Sequence, residues 1–319
     1  MPVKNLIPML IAVIMVFTIC SCCRDKKDIS GWTSYTGHGL SAGVTAIAID
    51  RNGNKWFGTA NGLIRFDGAD YTLFSDSNSN LVSNHVYCIA VDHYDIKWIG
   101  TDAGVSRFDG TNWTTLLSDT LVRAMAVDLE NHVWFSIEGY GLLEYDGVSR
   151  KSYSDANGNL PANFISVIAV DSMNNIWFGD EFMPRVTKYD HQNWITYTPP
   201  NPNPAVGMSG ISAIAFRGKG KAWIEVPLTG IFIFDGASWN ITLKNASVHT
   251  LAIDPEGTAW ACYNVLWLGG GVSSYDGNHW RNYNVSNSGI VDNWVTCIAI
   301  DTHGNKWIGT GSGVSEFRN

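Results

Sequence analysis

Ala46-Ile47-Ala48-Ile49-Asp50, then Arg51-Asn52-Gly53-Asn54, then Lys55-Trp56-Phe57-Gly58-Thr59, makes a small apolar run, a polar turn and a second run built on Trp-x-Gly. The phrase continues through Asn61-Gly62-Leu63-Ile64-Arg65-Phe66-Asp67-Gly68, a third run that ends on an aromatic residue and Asp-Gly. It returns with Trp98, Trp134, Trp177, Trp223, Trp260 and Trp307 as its tryptophan. Seven copies share the 289 residues from 31 to 319, roughly forty each, which is the length of one β-propeller blade.

Each copy reads as four strands. Strand A is the small apolar run, such as Val44 to Asp50, and strand B carries Trp-x-Gly. Strand C ends in an aromatic residue followed in most copies by Asp-Gly, and strand D is aromatic-rich, as in Asn193-Trp194-Ile195-Thr196-Tyr197. Asp-Gly between two such runs signals a hairpin, because that turn needs positive φ. Both faces of a blade pack on neighbouring blades, so near-continuous apolar strands are expected in place of clean alternation. The seven tryptophans are expected to pack between blades and not to touch a ligand.

The chain ends give the same count. The last copy stops at Gly313-Val314-Ser315-Glu316-Phe317-Arg318-Asn319, a strand C with no strand D after it. Gly31-Trp32-Thr33-Ser34-Tyr35 is a strand D with no A, B or C before it. Pairing the two closes the ring and removes exposed sheet edges. The predicted fold is all-β: a seven-bladed β-propeller of four-stranded blades, closed by the N-terminal strand on the C-terminal blade.

Residues 1–21 read as a secretory signal. Lys4 supplies the positive end, Leu6 to Ile19 the apolar stretch, and Ile19-Cys20-Ser21-Cys22 the cleavage region. That ending resembles a bacterial lipoprotein signal, with Cys22 as the lipidated residue and 22–30 as a polar tether; a simple cleaved signal is the alternative. Either way the chain is expected to be exported, and with the lipid it sits at a membrane surface, periplasmic or outward-facing, without spanning it. Fourteen Trp and 32 Gly agree with an all-β chain. A net charge of −8 disfavours nucleic acid as a partner. Cys88, Cys262 and Cys297 remain in the mature chain, an odd number that leaves at least one free thiol, and Cys88 and Cys297 read as small core residues. No His/Cys cluster has metal-ligand spacing.

Loop lengths point to the functional face. Strand A Asp to strand B Trp is always six residues, and strand C Asp to strand D aromatic is four. Strand B Trp to strand C aromatic instead runs from ten to fifteen, and strand C Asp to the end of the next strand A from 19 to 27. In an up-and-down blade the two constant turns share one face of the disc and the two variable connections share the other. Insertions over a fixed scaffold are how repeat proteins build binding surfaces. The B–C segments contribute Tyr140, Glu181, Glu225 and, in the longest, Trp267; the segments leading into strand A contribute Asn84, His85, Phe164, His249 and Trp294. Aromatic planes beside carboxylates and amides suit a glycan or another small molecule. No cofactor is called for, although carboxylates on adjacent blades would accept calcium or magnesium.

Ile89-Ala90-Val91-Asp92, Lys97-Trp98-Ile99-Gly100-Thr101, Gly104-Val105 and Arg107-Phe108-Asp109 together resemble the two-component regulator propeller repeat. The likeness implies a periplasmic sensing propeller, a part of hybrid sensor kinases that also occurs in free-standing exported proteins. Asn84, Asn163 and Asn293 match an Asn that often precedes strand A in that family. This chain shows no C-terminal span, kinase or DNA-binding region, so it is not expected to signal alone. Streptogramin lyases look like distant relatives, and their use of a metal with His and Glu would fall here on His85 or His249 with Glu138, Glu181 or Glu225. Three readings follow: a monomeric glycan or small-molecule binder, a scaffold docking an envelope protein, and a metal-dependent lyase.

Overall fold

The spacing of six between aspartate and tryptophan has a hydrogen-bonding cause. Asp50 Oδ1 accepts the backbone N–H of Asn52 and Asn54 at 3.0 and 2.9 Å, while Oδ2 accepts the Trp56 indole N–H at 3.0 Å. One carboxylate thus satisfies the turn and pins the indole. Asp92, Asp128, Asp171, Asp254 and Asp301 hold Trp98, Trp134, Trp177, Trp260 and Trp307 in the same way, at 2.8 to 3.3 Å. The constant C–D turn follows similar logic: Asp67 Oδ1 accepts the N–H of Ala69 and Asp70, and Gly68 takes a φ of 102°.

The computed structural model describes residues 29–201, 209–218, 220–263 and 270–318. They form seven four-stranded antiparallel sheets, each in the order A-B-C-D. Blade 1 consists of Val44–Ile49, Lys55–Thr59, Gly62–Phe66 and Tyr71–Phe74. Strands A of blades 2 to 7 are Val86–Val91, Val122–Val127, Ile165–Val170, Ala213–Arg217, Val248–Ile253 and Val295–Ile300. Each strand A neighbours those of the blades on either side, and that of blade 1 neighbours that of blade 7. The sheets therefore stand radially around an axis lined by strands A.

Trp32–Tyr35 is the strand D of blade 7, paired antiparallel with Gly313–Phe317 in a register running from Trp32 opposite Phe317 to Tyr35 opposite Val314. The Tyr35 hydroxyl donates to Glu316 Oε2 at 2.9 Å. Burial and the Glu316 carboxylate hold that phenol well above its usual pKa, so it stays a donor. The closure expected from the two incomplete ends is present.

The tryptophans pack between blades, at most 7% exposed. Trp56 meets Val86, Ile99 and Phe108 of blade 2, and Trp307 meets Phe57, Ile64 and Phe66 of blade 1. The glycine of Trp-x-Gly is required by close packing: a Cβ on Gly58 would lie 2.6 Å from Val86 Cγ1 of the next blade, and one on Gly100 2.4 Å from Cys88 Sγ of its own strand A and 3.1 Å from Val122 Cγ1 of the next blade. Strand B is buried almost throughout, but strand D is only partly covered; in Trp194–Tyr197 the ends are half-buried and the middle is exposed. Strand D is outermost, where radial sheets diverge and solvent enters, so continuous burial does not extend to it. Blade 5 departs further. Arg217 stands where the other blades have Asp, and among the described residues buried Trp223 Nε1 finds no acceptor.

Candidate functional site

The two ends of the blades differ as loop spacing predicts. At one end the A–B turns 50–54, 92–96, 128–132, 171–175, 254–258 and 301–305 are all five residues. At the other, the B–C connections span two residues at 60–61, three at 138–140 and five at 181–185, and the D–A connections three at 119–121 and eleven at 75–85, 154–164 and 284–294. The long D–A connections share one frame, because Asn84, Asn163 and Asn293 accept the N–H of Asp76, Asp155 and Val285 at 2.8 to 2.9 Å. Asn84 thus organises its own connection.

Six strands A carry a bulge at their second residue, at Thr45, Tyr87, Arg123, Ser166, His249 and Thr296. A bulge re-aims its side chain. Thr45, Ser166 and Thr296 turn their hydroxyls onto a backbone carbonyl of the next blade. Tyr87 and Arg123 build something different. The Arg123 guanidinium lies 5.8 Å over the Tyr87 ring and 3.2 Å from Glu138 Oε1. The His85 ring is 4.7 Å from Tyr87, with Nδ1 3.7 Å from Asp102 Oδ2. Ion pairs this exposed contribute about 0–1 kcal/mol each, so stability does not explain the cluster.

Glu138 leads through Gly139 to Tyr140, which is 75% exposed. Gly139 lies against Phe164, whose ring meets Phe182 edge-on at 5.2 Å, and Phe182 is 60% exposed. The Glu181 N–H donates to the Phe164 carbonyl at 2.9 Å, joining the two connections. His85, Tyr87, Asp102, Arg123, Glu138, Tyr140, Phe164 and Phe182 therefore form one arc over blades 2 to 4. Tyr87 and Arg123 were not among the residues expected from sequence. The signal was their departure from the short hydroxyl residue at the same position in blades 1, 4 and 7.

Other expected residues fall elsewhere. Trp294, half exposed, sits against Gly311 on blade 7, and exposed His249 is on blade 6. Trp267, Cys22 and the signal segment lie outside the described residues. Glu225 is not on a loop: it belongs to strand Lys221–Val226, fully buried, in the slot that Trp-x-Gly fills with glycine. Its Oε1 accepts the Val248 N–H of blade 6 at 2.9 Å, and Oε2 contacts the Ser212 hydroxyl. Burial, partly offset by those two contacts, pushes its pKa up to about 8. Every strand B runs to the third residue after its tryptophan, so Glu225, two residues after Trp223, lies inside the strand and the sequence-based placement on a loop was wrong. Cys88, Cys262 and Cys297 are free, and burial pushes the first and last up to about 12, where a thiol is unreactive. Among the described residues no group of three or more His, Cys, Asp or Glu side chains is arranged to hold a metal ion, so the lyase reading gains no support.

The fold places the chain among seven-bladed β-propellers. It superposes with a TM-score of 0.76 and 22% identity on the extracellular domain assigned to a hybrid two-component system of B. thetaiotaomicron, covering 90% of this chain and 41% of that one. A second such domain from the same organism gives 0.74 and 20%, covering 91% and 40%. The chain thus spans about two fifths of those proteins. Virginiamycin B lyase from Staphylococcus aureus gives 0.74 and 13%, covering 90% and 99%. At these identities the likeness is one of fold. No protein-family model matches the sequence, and no curated protein does.

Proposed function

We propose that the chain is an exported binding propeller, anchored at the bacterial envelope through a lipid on Cys22, that recognises a glycan or other small molecule on the face carrying the B–C and D–A connections. The arc over blades 2 to 4 supports this most directly. Tyr140, Phe164 and Phe182 expose ring area that the core does not use, beside the His85–Asp102 and Arg123–Glu138 pairs. Rings cover the C–H faces of a sugar while the paired polar groups take its hydroxyls. Half-exposed Trp294 extends the same face.

A thermal-shift screen against a glycan panel tests the reading. A saturable shift that disappears in Tyr140→Ala and Phe164→Ala is expected; a full panel without a shift counts against it. Cys22→Ala is expected to release the protein from membranes. Phe182 and Met183, 60% and 51% exposed, favour a docked protein as the second reading. Co-purification of an envelope protein that Phe182→Ser abolishes and sugars do not affect would decide for it.

A further inference from the structure

At the opposite end of the disc, the tryptophan of a blade faces the residue that precedes the tryptophan of the next blade. Where that residue is lysine, its ammonium fills the space between blades. Lys97 Nζ donates to Asp95 Oδ2 at 2.9 Å and lies 3.5 Å from Asp50 Oδ2 and 5.3 Å from the centre of the Trp56 ring. Lys306 Nζ lies 3.2 Å from Asp254 Oδ2 and 5.0 Å from the centre of Trp260. Lys55 Nζ stands 4.6 Å over Trp307. An ammonium beside an indole thus recurs three times, twice with a carboxylate within ion-pair distance.

Between blades 2 and 3 the residue before the tryptophan is Val133, and a groove of about 490 Å³ remains, lined by Asp92, Trp98, Arg107, Val133, Tyr145 and Asp146 among others. Its carboxylate and indole are arranged as in blade 1, with Asp92 Oδ2 accepting the Trp98 indole N–H at 3.0 Å. Tyr145 lies edge-on to Trp98 at 5.8 Å, where Phe108 lies 5.9 Å from Trp56. The charged groups lining it are Asp92, Asp146 and Arg107. The Arg107 guanidinium lies 5.7 Å over Trp98. Its counterpart in blade 1, Arg65, coexists with Lys97 by pairing with Asp67 at 3.3 Å. Asp109 offers Arg107 the same outlet, and the two already interact electrostatically.

We propose that this groove is a second binding site, on the far side of the disc from the arc, and that it takes a primary ammonium on an unbranched alkyl chain. The lysines of three sibling spaces show which group fits: a compact cation with an apolar stem against an aromatic face, in two of the three with a carboxylate beside it. The ligand supplies from outside what Val133 lacks.

Calorimetric titration at neutral pH with n-pentylamine, and with pentan-1-ol as the uncharged equivalent, tests the site. Saturable binding of the amine is expected, with the alcohol at least tenfold weaker. Val133→Lys supplies the ammonium from within and is expected to abolish saturation; lysine is tolerated at this register, since Lys97 and Lys306 are 4% and 0% exposed. Asp92→Asn keeps the acceptor for the turn's N–H groups, loses the one for the Trp98 indole, removes the charge and should weaken binding at least tenfold, whereas Arg107→Ser uncovers the indole and should tighten it. A blocked lysine peptide that binds as well as pentylamine identifies a polypeptide side chain as the source, and binding confined to free amines identifies a small molecule. No saturation by either amine, or equal saturation in Val133→Lys, overturns the proposal.

Discussion

Glu225→Gln probes the contact between blades 5 and 6. The Ser212 hydroxyl has one proton but contacts both Glu225 Oε2 and the Val248 carbonyl, the latter at 2.8 Å. If Glu225 carries a proton, it donates to Ser212, Ser212 donates to Val248, and the Val248 N–H donates to Glu225, so every group is satisfied. As a carboxylate it would leave that cycle one proton short in a fully buried place. An unfolded glutamate loses its proton near pH 4.5, whereas the folded one keeps it to about 8. Between those values the unfolded chain binds fewer protons than the folded chain, so stability falls as pH rises, by about 1.4 kcal/mol per unit and about 5 kcal/mol in all. Gln reproduces the neutral acid, its amide donating to Ser212 and its carbonyl accepting from Val248, but cannot ionise. Urea unfolding of both proteins from pH 5 to pH 8.5 should therefore give near-equal stability at the acid end and a growing advantage for Gln toward the alkaline end. Other titrating groups cancel in the difference. A difference that is flat with pH, or that falls, would refute the reasoning.

Arg217→Asp should return an acceptor to Trp223 Nε1 and raise stability by about 1 kcal/mol, read from the denaturation midpoint. Gly100→Ala drives a methyl group to 2.4 Å from Cys88 Sγ and should cost about 1–3 kcal/mol, whereas Gly53→Ala, with no atom within 4 Å, should cost only its unfavourable φ. A chain beginning at Gly37 lacks the strand that covers Gly313–Phe317. It should elute as aggregate in size-exclusion chromatography, and adding a Trp32–Tyr35 peptide should partly restore the monomer.

The blade count, the strand order and the closure were legible in the sequence because each rests on local chemistry repeated in most of the seven blades. An aspartate six residues before a tryptophan folds a turn and holds an indole wherever it occurs, and Asp-Gly makes its hairpin without help from distant residues. Loop lengths likewise showed which end of the blades varies. The side chains that meet across blades were decided only by the tertiary structure. Glu225 entered a glycine slot and bonded the next strand A, Arg123 came to lie over Tyr87, and Val133 left open a space that lysine closes elsewhere. These partners stand roughly one blade apart in the chain, and no local periodicity relates their directions. Radial packing sets those directions, because it is the step that brings one blade's strand B against its neighbour's tryptophan.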